Sequence, residues 1–340
     1  MVPAASTKNY GLGRGGSGAA HGGIVSPMER SAEPVNVSRS RDIALFAALA
    51  LFWGLSFPAI SVGLDYIPPL LFAAFRYDVA AVLLLATAAL TMDRWVPTAR
   101  NDRLAVVGGG LFLVAGNGLL FIGQQTVPSG VAAILQALVP IATAVWALFL
   151  LGERLSKLGA VGVGVGFLGI SLVIQPDPTN LLGGDTVGRL IIVGQVISVA
   201  LGGVVVQRAA PTLGRLALTG WSMFLGGLVL HGFSLAAGEL PGNSVLDPTA
   251  VVTVVYLGVF STAIAFYIFF YILESHGAFQ TSLVSYLVPV VATLVGVFVL
   301  GESINTLTVA GFGLVAVGFV LLKREALMSA VRDSPVAVRP

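Results

Sequence analysis

Arg76 and Asp78 stand two residues apart inside an otherwise apolar run, LLFAAFRYDVAAVLLLATAAL. In the middle of a helix crossing lipid, a charge costs on the order of 3 kcal/mol, so one kept there faces a partner or water. An arginine in that setting attracts an anionic or zwitterionic solute, and a carboxylate can carry a proton. Residues two apart on a helix point about 200° apart, so these two cannot pair with each other and each needs its own partner. Structural uses compete with the chemistry. Arg76 can snorkel or bond backbone carbonyls, and Asp78 can cap a neighbouring helix.

Uncharged polar residues inside apolar runs are the next candidates for touching a solute. They are Trp53, Ser56, Asn117, Gln125, Gln136, Ser261, Tyr267, Ser282 and Tyr286. In lipid an amide or hydroxyl without a partner is costly, so these side chains should point inward, although helix-to-helix hydrogen bonding explains many such residues. Gln136 and Tyr286 rank first because they flank two similar Leu-Val-Pro segments. Trp221 and Tyr256 read as interfacial anchors, and His231, near the end of a run, reads as interfacial rather than as a proton relay.

Only 10% of the 340 residues are charged while 56% are hydrophobic, with a mean hydropathy of +0.94. Soluble domains carry about 25% charged residues. A hydrocarbon layer about 30 Å thick is crossed by about 20 apolar residues in helix. Runs of that length fill the chain from Ile43 to Leu322, which makes it an all-α polytopic membrane protein. The basic residues are scattered, so no nucleic-acid-binding face exists. With no cysteine and three distant histidines, neither thiol chemistry nor a metal site is expected, and no cofactor is. GxxxxGK[ST], HExxH and GxSxG are missing from the spans, which argues against ATP hydrolysis and intramembrane hydrolysis.

Ten candidate spans follow from the apolar runs: 43–63, 70–91, 104–125, 131–151, 158–175, 189–207, 216–236, 250–272, 279–300 and 307–322. With the N-terminus inside, 16 of the 18 basic residues fall in inside segments, and the outside loops hold Asp65, Asp177, Asp185, Glu239, Asp247 and Glu302. Basic flanks stay cytoplasmic, so both termini are expected inside a multi-pass plasma membrane protein. Residues 1–40, Gly- and Ser-rich without periodicity, read as a disordered tail, and 324–340 as a cytoplasmic tail.

The segments LVPIATAVWALFLLGE and LVPVVATLVGVFVLGE place Pro140 and Pro289, and Glu153 and Glu302, 149 positions apart. Gly162, Gly164 and Gly169 repeat at the same spacing as Gly311, Gly313 and Gly318. The copies lie in the fourth and ninth spans, an odd number of crossings apart, so they run in opposite directions. Inverted halves suit alternating access, in which one packing made twice opens to either side. Mid-span Pro140 and Pro289 remove a backbone bond and are expected to act as kinks or hinges. Glu153 and Glu302 sit just past span ends and read as structural caps on helix N-termini. The glycine rows permit close helix contact within the chain or at a homodimer face.

The residues FWGLSFPAI, FRYDVAA, GVAAILQALVPI and LGERLSKLGAVGVGVGFLGI, with the second-half AFQTSLVSYLVPV and LGESINTLTVAGFGLVAVGFVL, resemble the drug/metabolite transporter superfamily of the EamA type. The resemblance implies ten helices as two inverted five-helix repeats, here 41–175 and 189–323, around a central cavity. It implies a secondary transporter for a small organic solute, amino-acid-like or drug-like, often an exporter. It also implies that Arg76 matches an arginine common at this place. The expected partners are the lipid bilayer and that solute. A channel and an intramembrane enzyme or sensor are the competing readings.

Overall fold

The computed structural model of the chain describes residues 36–175 and 183–324. Among them every regular element is helical. Inside hydrocarbon a backbone that cannot bond to water must bond to itself, and an apolar chain without alternating strands does so as helix. Eight helices are long and apolar enough to cross a membrane: α1 Arg41–Leu64, α2 Pro69–Thr91, α3 Arg100–Gly123, α4 Ser129–Leu150, α5 Lys157–Ile174, α6 Asp185–Ala209, α7 Arg215–Ala236 and α8 Pro248–His276. Two shorter apolar helices, α9 Leu283–Phe298 and α10 Thr306–Leu322, follow. The helical backbone leading into α1 begins at Asn36. A helix nucleated by an apolar run extends at low cost over the polar turn before it. Residues 1–35 and the tail from 325 lie outside the described residues.

Local sequence sets the helix starts. Asp247 accepts from Thr249 N at 2.8 Å ahead of Pro248, Ser156 accepts from Gly159 N at 3.1 Å, and Asn305 accepts from Thr308 N at 2.8 Å. Several caps come from distant segments. Both carboxylate oxygens of Glu239 accept from the first turn of α2, at Leu70 N and Leu71 N. Asp102 accepts from Thr212 N and Leu213 N just before α7. Arg189 donates to the last carbonyls of α5, Val173 O at 2.7 Å and Ile174 O at 3.1 Å, and pairs with Asp185 at 2.7 Å. Two poles result. One end of the bundle carries Asp65, Asp185, Glu239, Asp247 and Glu302, and is called the acidic end below. The other carries most of the Arg and Lys.

α8 and α9 share one hydrogen-bonded helical backbone, Ala265–Phe298. Yet Trp53 packs against Phe266 and Phe269, while a Cβ on adjacent Gly54 would stand 2.5 Å from Val291 Cβ. In a straight helix residues 266 and 291 would be about 37 Å apart. The chain therefore doubles back between Phe269 and Val288, and α9 returns alongside α1.

α1 is interrupted by one turn residue at Leu55, and three further helices are irregular. α3 contains a π-helical stretch, Gly109–Val114, followed by a 3-10 turn, and α8 contains another, Tyr256–Ile264. The two π stretches hold Gly109 and Gly258, again 149 positions apart. A Cβ on Gly109 would meet Ser222 Oγ of α7 at 2.6 Å, and one on Gly258 would meet Val79 Cβ of α2 at 2.6 Å. α4 is broken at Ala137 and Leu138, immediately before Pro140, whereas Pro289 lies inside an unbroken helix.

α5 and α10 pack along their glycines. A Cβ on Gly318 would stand 2.5 Å from Gly162 O, and one on Gly311 2.6 Å from Gly169 O, so the two backbones touch. Gly166 faces Ile141 of α4, and the glycine row is thus used within the chain. Large apolar side chains such as Leu90, 87% exposed, and Phe298, 80% exposed, cover the outside. That is the surface a lipid solvent requires.

Candidate functional site

Four helices contribute to one chain of polar side chains inside the bundle. Gln136 Nε2 of α4 donates to Gln195 Oε1 of α6 at 2.5 Å. Gln195 Nε2 donates to Asn117 Oδ1 of α3 at 2.8 Å, and Asn117 Nδ2 donates to Tyr77 OH of α2 at 2.7 Å. Gln195 and Tyr77 are buried, Gln136 and Asn117 half-buried. Counting residues from the acidic end puts all four about 9–15 Å inside it. An amide carries donors and an acceptor, so a row of them satisfies itself where no water is available. These bonds leave the Gln136 carbonyl, the Tyr77 hydroxyl proton and the second N–H of each amide for other partners.

Arg76 adjoins the Tyr77 end. Only 7% of it is exposed, its Nε donates to Thr262 Oγ1 at 2.8 Å, and its guanidinium carbon lies 5.3 Å from the Tyr77 ring centre. Thr262 in turn donates to Leu257 O at 2.6 Å, five residues back, inside the π stretch of α8. The π stretch thereby aims Thr262 at α2. A π segment inside a helix is a recurrent mark of a functional position. Tyr256, from the same stretch, donates to Phe52 O at 3.1 Å and ties α8 to α1 instead of serving as an anchor at the membrane surface.

Asp78 points the other way, as the two-residue spacing requires. Its Oδ2 meets His231 Nε2 of α7 at 2.7 Å, so His231 is a helix-to-helix partner and not simply interfacial. Asp78 borders an apolar groove of about 640 Å³ between α2 and α7, lined also by Ala81, Leu85, Trp95, Trp221 and Phe224. Trp221 donates to Trp95 O and stacks on its ring at the far end of that groove.

The remaining expected positions divide. Ser56 donates to Trp53 O within α1, and Trp53 stands against Phe266 and Phe269. Ser261 Oγ and Tyr286 OH are buried with no partner among the described residues, and the Tyr286 ring lies 4.7 Å from Phe319. The Ser282 side chain lies outside the described residues. Gln125 is exposed, and the inward amide is its neighbour Gln124, which donates to Phe57 O at 3.1 Å and Ser61 Oγ at 3.3 Å. Tyr267 is 63% exposed on the outer face of α8. Gln125 and Tyr267 therefore leave the candidate set. Gln125 lies in the turn past the end of α3, while Tyr267 follows a π stretch, whose i→i+5 bonding rotates what comes after it away from the phase of a regular helix.

Glu302 accepts from Ser129 N and Ser129 Oγ, each at 2.8 Å, and from Gly130 N at 3.3 Å, capping α4. Its repeat counterpart Glu153 is exposed. Sequence reading missed Tyr77, Gln195, Gln124 and Thr262, and read His231 as interfacial. Gln195 alone carried a signal, an amide ten residues into an apolar run.

An apolar helical bundle with a polar chain and a buried cation inside it defines a polytopic membrane protein built to handle a solute in its interior. The chain belongs to the EamA-like transporter family, whose sequence profile matches residues 41–175 and 186–324. It is 33% identical over 284 residues to the uncharacterized inner membrane transporter YedA of Escherichia coli K12, covering 82% of this chain and 89% of that one. An uncharacterized transporter of Archaeoglobus fulgidus is 28% identical over 282 residues, covering 83% and 98%. A WAT1-related chloroplastic protein of Arabidopsis thaliana is 27% identical over 80% of this chain and 66% of its own. A crystal structure at 20% identity aligns over 87% of this chain and 99% of its own with a TM-score of 0.58, a likeness of fold.

Proposed function

We propose that this membrane transporter is a secondary carrier that exports a small organic metabolite by alternating access. In this reading the ten helices cross as two inverted repeats, 41–175 and 189–323, with both termini cytoplasmic and the basic end facing the cytoplasm of a plasma membrane protein. The solute sits at the polar chain between the repeats. Pro140 and Pro289 act as hinges, and Asp78, tied to His231, carries the coupling proton.

One observation supports this most. Gly162 and Gly169 have repeat mates Gly311 and Gly318, yet Gly162 meets Gly318 and Gly169 meets Gly311. Exchange of mates along two antiparallel helices is what a two-fold axis between inverted halves produces. The crossed packing of Gly109 on α7 and Gly258 on α2 points the same way. Two halves related in that manner can swap conformations at similar energy, which is the physical requirement of alternating access.

The test has two stages. A growth-tolerance screen of an expressing strain against amino acids and related metabolites supplies a solute. Purified full-length protein in proteoliposomes is then assayed for counterflow of that solute with radiolabel. Saturable counterflow is the expected result. Conductance without counterflow would instead mark a channel, and chemical conversion of the solute an enzyme.

A further inference from the structure

We propose that Arg76 and the polar chain form one binding site for a singly charged organic anion, a monocarboxylate, and that this site rejects amines. This rests on the transport reading only for what happens to the bound solute, since binding is a separate claim.

Three observations carry it. First, Arg76 is 93% buried in a membrane-spanning helix, and Thr262 takes only its Nε. Among the described residues neither terminal amino group has a hydrogen-bond partner, and no carboxylate stands within ion-pair distance. A guanidinium held by Nε presents its remaining edge as a fork matched to a carboxylate. A buried cation without a counter-ion is costly, and a bound anion relieves that cost.

Second, the neighbouring Tyr77 hydroxyl accepts from Asn117 and keeps its proton to donate. It adds a neutral donor on a ring whose centre lies 5.3 Å from the Arg76 guanidinium carbon. Among the described residues the other buried cation, Arg189, is committed to Asp185 and to the end of α5. One fixed charge with neutral amides suits a carboxylate better than a phosphate dianion.

Third, the site offers an ammonium group no carboxylate. Asp78, the carboxylate nearest in sequence, is on the opposite side of α2 against His231, and Glu239 and Glu302 are used as helix caps at the acidic end.

Benzoate, benzamide and benzylamine share a ring and differ in charge, so they serve as probes. Thermal unfolding of the purified full chain in detergent is followed with each. Benzoate should raise the midpoint, and benzamide and benzylamine should not. Arg76→Gln should weaken the benzoate response about tenfold or more, the range of a hydrogen bond to a charged group. Arg76→Lys should restore part of it. Thr262→Val, which keeps the charge and loses its tether, should weaken it by less than Arg76→Gln does and covers the case in which Arg76→Gln does not fold. A benzylamine shift equal to that of benzoate, a benzoate shift indifferent to Arg76→Gln and Thr262→Val, or no benzoate shift overturns the proposal. Arg76-dependent benzoate binding without counterflow would sink the transport reading and leave the anion site standing. Arg76-independent counterflow of an amine would do the reverse.

Discussion

Gly162 of α5 touches Gly318 of α10, the repeat mate of Gly169 and not its own. A Cβ on Gly318 would stand 2.5 Å from Gly162 O, and the obstacle is backbone, which cannot rotate away. Gly318→Leu should therefore destabilise the protein by about 3 kcal/mol or more, through overpacking that no rotamer relieves. Gly313→Leu, where nothing lies within 4 Å, should stay within about 0.5 kcal/mol. Denaturation of both variants in one detergent measures the contrast.

Gln195 is the middle of the polar chain and bonds on both sides, to Gln136 and to Asn117. Gln195→Leu removes both bonds and leaves two amides facing each other without a bridge. A loss of about 1–2 kcal/mol in stability is expected, the range found for hydrogen bonds between membrane helices. Counterflow should fall further than stability does. Gln125→Leu, an exposed amide one helix end away, is the comparison and should leave both unchanged.

Asp78 and His231 join α2 to α7 at 2.7 Å. With a pH-sensitive dye trapped in the proteoliposomes, adding solute to the parent should move protons across the membrane. Asp78→Asn should carry solute without proton movement or stop carrying it. Proton movement undiminished in Asp78→Asn would remove Asp78 from the mechanism.

Glu302 caps α4 through Ser129 and Gly130. Glu302→Gln keeps the shape and loses the charge, and should cost about 1 kcal/mol. Glu153→Gln, at an exposed glutamate, should cost less. Thermal midpoints of the two variants check the difference.

Much of this was legible in the sequence because lipid imposes simple demands. Apolar runs marked the helices to within a few residues, and the two-residue spacing of Arg76 and Asp78 forecast their opposite partners. Lone amides such as Asn117 and Gln136 had to find company, and they did so in each other's network. The failures have separate causes. Polarity inside apolar runs points Gln125 and Tyr267 inward, but Gln125 lies in the turn past the end of α3, and Tyr267 follows the π stretch Tyr256–Ile264, which turns the helix. Tyr77 and Thr262 were beyond reach for another reason. Their roles arise where separate helices meet, and tertiary packing of that kind leaves no periodic trace along the chain.

Alternating exposure of the polar chain is the central claim, and the chain's lack of cysteine allows it to be read without background. The most direct measurement is labelling of a single introduced cysteine, Gln136→Cys, by a membrane-impermeant thiol reagent added to one side or the other of oriented vesicles. The account predicts labelling from either side, with added solute shifting the balance between the two. Labelling from one side alone under every solute condition, or at equal and solute-independent rates from both, would contradict it.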